Sequence, residues 1–143
     1  MTVTEARVRE VLNTILDPCS VTAGVPAGLD DMGLVHDVRV MDDGAGGQQV
    51  SVAVGVTEPT CLLLGSFAAE AKRQLRGLPG VSAVDVRLKT DLDWSEQDLA
   101  PDYRRKLKEH RQILRSTIRL PIVPLDACRR VGPAGQPVPG LGR

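Results

Sequence analysis

Val50, Val52, Val54 and Val56 alternate strictly and run straight into Thr57-Glu58-Pro59-Thr60-Cys61. Beyond that turn, Leu64, Phe67, Ala68, Ala71, Leu75 and Leu78 recur at helical spacing, and Gly77 with Pro79-Gly80 stops the pattern. A two-residue period marks a strand with one buried face, and the change of period at Thr57 marks a strand-to-helix turn. Val84, Val86 and Leu88 then alternate with Asp85, Arg87 and Lys89 in another strand. Strand, helix, strand in this order requires a right-handed crossover, which makes the two strands parallel. The turn carries a cysteine where free backbone N–H groups and a helix dipole favour the thiolate, the form that binds metals and attacks electrophiles.

Upstream, Leu34 to Met41 reads as a strand with Leu34, His36, Val38 and Val40 on one face. Asp42-Asp43-Gly44-Ala45-Gly46-Gly47 suits a hairpin, so this strand runs antiparallel to the valine strand. At the N-terminus, Thr2 and Glu5 form a T-x-x-E capping box, and Val8, Val11, Leu12, Ile15 and Leu16 give one buried helical face. Asp17-Pro18 ends that helix. Cys19 to Gly33 reads as a loop of unusual length, and long ordered loops tend to be functional. Ser95 with Asp98 caps a short helical turn, and Pro101 opens a further helix with Tyr103, Leu107, His110, Leu114 and Ile118 on one face.

The expected architecture is a small two-layer α/β (α+β) domain. A mixed three-stranded sheet is packed by helices in the order α-β-β-α-β-α. The main domain spans residues 1–100, a basic amphipathic helix 101–120, and a proline- and glycine-rich tail, expected to be disordered, 121–143.

At 143 residues, with 18 Lys plus Arg against 18 Asp plus Glu, bulk charge argues against nucleic acid or an acidic membrane as partner. Phe67, Trp94 and Tyr103 are the only aromatics, too few for a base-stacking surface. No apolar run approaches the ~20 residues that span a bilayer. The three cysteines, Cys19, Cys61 and Cys128, are too sparse for a secreted disulfide framework, so a cytoplasmic location is expected.

Cys61 is the best-placed thiol, although free cysteine is among the most buried residue types. Cys19 follows Asp17-Pro18 in the other long loop, and two thiolates are half a ligand set for zinc or an iron–sulfur cluster. A homodimer would supply four. Asp17, Asp30 and Asp31 are candidate ligands or bases, although aspartate before proline or glycine more often forms turns and caps. His36 reads as a structural histidine on the apolar side of its strand, and Cys128 sits in the tail. Arg104, Arg105, Lys106, Lys108, Arg111 and Arg115 make either a solvated face or a docking surface. A serine-hydrolase elbow, a P-loop and a dinucleotide fingerprint are all missing.

Several stretches together resemble one family. Asp17-Pro18, then Asp31-Met32-Gly33-Leu34-Val35-His36-Asp37-Val38-Arg39-Val40, resembles the D-P…D-x-G-L-V-x-x-V-x-V opening of the SufT/PaaD-like iron–sulfur assembly proteins. These are bacterial relatives of the MIP-eighteen family, long catalogued as a domain of unknown function. Thr57 to Cys61 matches its T-x-P-x-C turn, Leu78-Pro79-Gly80-Val81-Ser82-Ala83-Val84-Asp85-Val86 its L-P-G-V-x-x-V-x-V strand, and Trp94 its following tryptophan. The resemblance covers roughly Val3 to Tyr103.

It implies a maturation factor for iron–sulfur or related metalloproteins, acting as carrier or adaptor rather than as a turnover enzyme. Cys61 would be the principal thiol for an iron–sulfur cluster or iron held transiently. Outside the family pattern, Cys19 would be its auxiliary in a shared thiol site and Asp17 a further ligand, with Asp31, Gly33, Thr57, Pro59 and Thr60 shaping the loops. Partners implied are a client metalloprotein or other assembly proteins. One departure is plain: the family usually has Glu after Asp-Pro, and here Cys19 stands there, with a longer loop following. Two other readings remain open, a non-metal adaptor stabilising a multicomponent oxygenase or similar client, and a thiol redox sensor.

Overall fold

The computed structural model describes residues 2–57, 64–91 and 93–118. The chain divides into two compact units, Met1–His110 and Arg111–Arg143. In the first, helices α1 (Glu5–Leu12) and α2 (Pro18–Thr22) precede strands β1 (Val35–Asp42) and β2 (Gln48–Gly55). Helix α3 (Leu64–Arg76), strand β3 (Val81–Lys89) and a 3₁₀ turn (Glu96–Asp98) follow, and helix α4 (Pro101–Thr117) begins in this unit.

The sheet has the order β1-β2-β3, antiparallel between β1 and β2 and parallel between β2 and β3. The expected mixed sheet is therefore present, with the valine strand at its centre. Val50, Val52 and Val54 are almost wholly buried, together with Val8, Leu12, Leu29, Ala71 and Leu75. Asp43 organises the hairpin by accepting the Ala45 and Gly47 backbone N–H groups at 2.8 and 2.9 Å.

Three local expectations are corrected. Helix α1 is capped by Thr4, whose hydroxyl accepts the Arg7 N–H, rather than by Thr2, and it ends at Leu12 with Asn13 as its C-cap. Helical spacing stops there, so Leu16 is 51% exposed while Val8 and Leu12 are at 0%. Asp17-Pro18 does not end a helix but opens α2 inside the stretch expected to be loop. Asp17 is its N-cap and Pro18 its first residue, where a missing N–H costs nothing.

The third correction concerns His36. Val35 pairs with Val54 and His36 with Ala53, yet Arg39 pairs with Ser51, so β1 holds one residue more than its partner. Asp37, at φ +42°, is the residue at this bulge with left-handed backbone, a conformation aspartate tolerates better than most. The bulge shifts the period: Val35, not His36, joins Val38 and Val40 on the core side, and His36 lies opposite, beside Ala53.

Within the first unit, α4 is held by Tyr103 and Leu107, both buried, and by the Tyr103 hydroxyl, which donates to the Val25 carbonyl at 2.7 Å. The expected apolar stripe is buried at these residues, half-buried at His110, and exposed at Leu114 and Ile118.

Leu12→Ala should cost about 2–5 kcal/mol, as for other fully buried leucines, whereas Leu16→Ala should cost well under ~1 kcal/mol, as for surface positions. Urea unfolding of the two variants checks this. Equal losses would restore the longer helix read from the spacing.

Candidate functional site

The sequence-predicted site residues fall into two neighbourhoods. The first surrounds α2. Asp17 is 3% exposed, and its Oδ2 accepts the Ser20 backbone N–H at 2.8 Å. Its own N–H donates to the Ala27 carbonyl at 2.9 Å. Ser20, also buried, donates from its hydroxyl to the Asp17 carbonyl at 2.6 Å and accepts the Ala27 N–H at 2.8 Å. The two side chains thus close the loop from Asp17 to Ala27 on itself. Cys19 lies between them with an exposed free thiol.

Sequence reasoning did not single out Ser20. The usable signal was Asp-Pro followed by serine at the third helical position, which reads as an N-cap with a reciprocal partner.

The second neighbourhood lies at the carboxyl end of β2, where the parallel crossover begins. In open sheets with parallel strands, ligands gather outside such ends. Gly55 and Val56 line a pocket of about 90 Å³ there, together with Gly33, Leu34, His36, Asp93, Trp94 and Asp98. Gly33 has φ +70°, and a β-carbon on it would sit 2.1 Å from the Asp98 carbonyl oxygen, so no other residue fits this backbone. The Trp94 indole N–H donates to the Met32 carbonyl at 2.7 Å. Asp31 accepts the Ala100 N–H on its carbonyl and donates its own N–H to Asn13 Oδ1, both at 2.9 Å. Its structural part is therefore played by its backbone. Asp30 pairs with Arg9 at 2.8 Å, and the same guanidinium reaches the Val35 carbonyl.

Thr57, half-buried, directly follows this pocket's Val56. Pro59, Thr60 and Cys61 lie outside the described residues, as do Cys128 and the tail. Asp17 and Cys19 do not line the pocket. Among the described residues, no three His, Cys, Asp or Glu side chains converge as a metal site. No described helix is long and apolar enough to cross a membrane. On α4, Arg104 turns back to the Gln97 and Leu99 carbonyls and Arg105 to Asp102, so these two guanidinium groups brace the start of their own helix.

Residues 5–86 match the profile of a family described as iron–sulfur cluster assembly protein. An uncharacterized protein of Methanocaldococcus jannaschii is 33% identical over 84 residues, covering 59% of this chain and 79% of that protein. A conserved hypothetical protein of Thermotoga maritima superposes with a TM-score of 0.56 at 28% identity, over 74% of this chain and 97% of that one. A domain of unknown function, DUF59, from Bacillus anthracis gives 0.58 at 21% identity, over 73% and 91%.

Two substitutions test the supports of the site. Asp17→Ala should lose about 1–2 kcal/mol and Asp17→Asn only a few tenths, because asparagine caps as well as aspartate. Gly33→Ala should lose at least about 2 kcal/mol, from left-handed backbone and the Asp98 clash together. Thermal unfolding monitored by circular dichroism reads both, and an unaffected Gly33→Ala would show that the Asp98 backbone yields freely.

Proposed function

Because the chain belongs to the iron–sulfur cluster assembly protein family, which its residues 5–86 match, we propose that it carries iron or a nascent cluster as cargo to a client. Cys61 is the principal thiol and Cys19 the auxiliary one, each binding as thiolate after losing its proton. Release is ligand exchange. As each bond from iron to a thiolate of this chain breaks, one to a client thiolate forms, and the freed cysteine takes up a proton. Such exchange requires an accessible thiol on a fixed support, and it requires that the chain not satisfy the cargo completely. The client is a metalloprotein or another assembly protein, and the chain acts as a factor rather than a turnover enzyme.

The observation that carries this reading, beyond family membership, is the state of Cys19. Cys19 is a free, exposed cysteine, while Asp17 and Ser20, two residues back and one ahead, are buried in a closed hydrogen-bond set. Asp17 in this reading fixes the helix turn that presents the thiol. Val56 lines the pocket at the end of β2, and the sequence from Thr57 leads directly to Cys61, at the place in a crossover where a ligand group is best presented.

Anaerobic reconstitution with ferrous iron and sulfide tests the assignment. Wild type should develop thiolate-to-iron charge-transfer absorption, Cys61→Ser should lose most of it, and Cys19→Ser should retain the band but lose iron faster to a chelator. Identical spectra from wild type and Cys61→Ser would remove the cargo-binding role from this thiol.

A further inference from the structure

The two edges of the sheet are not alike. At β1, the bulge between His36 and Arg39 interrupts the ladder, a common device against further strand pairing. At β3 the register shifts once near the start of the strand, between Gln48↔Val81 and Gln49↔Ala83, and then runs unbroken to Gly55↔Lys89. The stretch Ala83–Lys89 centred on Val86 is therefore regular, and the strand Val81–Lys89 contains no proline. Among the described residues no strand lies beyond it. Its core-facing side chains are also less well covered than those of the central strand. Val86 and Leu88 are only half-buried, whereas Val52 and Val54 are fully buried.

The charges on the other face of β3 select an occupant. Asp85, Arg87 and Lys89 alternate with the apolar residues, and Asp85 and Arg87 lie within 3.5 Å of each other, both well exposed. We propose that β3 is the surface through which two copies of this chain pair, antiparallel about Val86, into one six-stranded sheet. In that register Asp85 of each copy opposes Arg87 of the other, twice by symmetry. Val86 meets its own mate, and Val84 meets Leu88 on the core side.

The alternatives are worse on two grounds. A slip of one residue would mix the polar and apolar faces. Moving the two-fold axis to Asp85 or to Arg87 would set like charges directly opposite, which destabilises a pair. The register about Val86 is thus self-complementary, as a two-fold contact must be. An unrelated strand would have to supply the same order of charges.

The arrangement has a consequence for the thiol site. Gly55, at the carboxyl end of β2, is level with Lys89, and Lys89 would oppose Ala83 of the second copy. With a rise of ~3.3 Å per residue and strands ~4.8 Å apart, the two β2 ends would stand roughly 25 Å from each other. A dimer formed this way sets the carboxyl ends of the two β2 strands, from which each chain leads on to its Cys61, well apart.

Sedimentation velocity of the full chain under reducing conditions tests the pairing. Wild type should show a concentration-dependent monomer–dimer equilibrium. Arg87→Asp, which sets two carboxylates opposite each other at both symmetric positions, should weaken it about tenfold or more. Asp85→Arg should do the same, and the double swap Asp85→Arg with Arg87→Asp should restore most of the affinity. Both residues are exposed, and far-UV circular dichroism confirms that the variants fold. A wild-type chain that stays monomeric up to several hundred micromolar overturns the proposal. So does a dimer that neither single variant weakens.

Discussion

The Asp98 carbonyl approaches Gly33 so closely that backbone meets backbone, with no space for a side chain between them. Much of the site's geometry depends on that contact. It brings the segment after β3 against the entry to β1, two stretches separated by some sixty residues of chain. Once there, Trp94 donates to Met32, and Ala100 donates to Asp31. Both acceptors are backbone carbonyls of the two residues just before Gly33, so three successive residues of the loop are fixed from one neighbouring segment. The capping box of Ser95 and Asp98 keeps that segment's own turn closed. Pro101 then starts α4 in a direction already set. The pocket at the end of β2 is what remains between these two backbones.

The bulge at Asp37 plays the complementary part on β1. Leu34, just before the strand, and Val35, its first residue, are both buried. Leu34 accepts the Gly55 N–H on its carbonyl and lines the pocket, while Val35 continues the core row opposite Val54. His36 is thereby turned to the pocket. Lys89 at the end of β3 pairs with Asp37 at 3.5 Å, although β2 lies between their strands. Since both groups are largely exposed, that pair contributes little to stability. The one-residue insertion thus serves the pocket and blunts an edge together.

How much of this is legible in the sequence follows from what each element depends on. The valine strand, the crossover helix and β3 are set by period and by the change of period, which are local, and they stand as expected. The 3₁₀ turn at Ser95 and Asp98 and the start of α4 at Pro101 follow from capping chemistry, also local. His36 was misplaced because a bulge is a tertiary accommodation: nothing in Val35-His36-Asp37-Val38 announces that the alternation breaks there. The span of α1 was overestimated because Ile15 and Leu16 continue the apolar pattern after the backbone has left the helix. Ile15 is still buried, but from a turn. Helix α2 was overlooked because five residues are too few to show a period. Its only signal was the cap, Asp-Pro, which serves equally to end one helix and to begin another. Family resemblance pointed to Asp17, Gly33 and Trp94, while their structural tasks, a cap, a bare backbone contact and an indole donor, needed coordinates.

Those tasks bear on the proposed carrier role. A thiol that must hand over its cargo has to remain open to a client, and openness ordinarily comes with mobility. Mobility would make each encounter cost ordering entropy. Around Cys19 the two requirements are met by different residues. Asp17 and Ser20 are buried and pair with each other and with Ala27, so the turn of α2 is fixed by groups with no solvent to compete for them. The sulfur between them stays outside that network. A glutamate in this place, as the family usually has, would offer a client a charged oxygen on the same fixed turn; a cysteine offers a ligand that iron binds and exchanges. The support is common to both side chains, so the departure at Cys19 changes the chemistry presented without requiring a change in the fold beneath it.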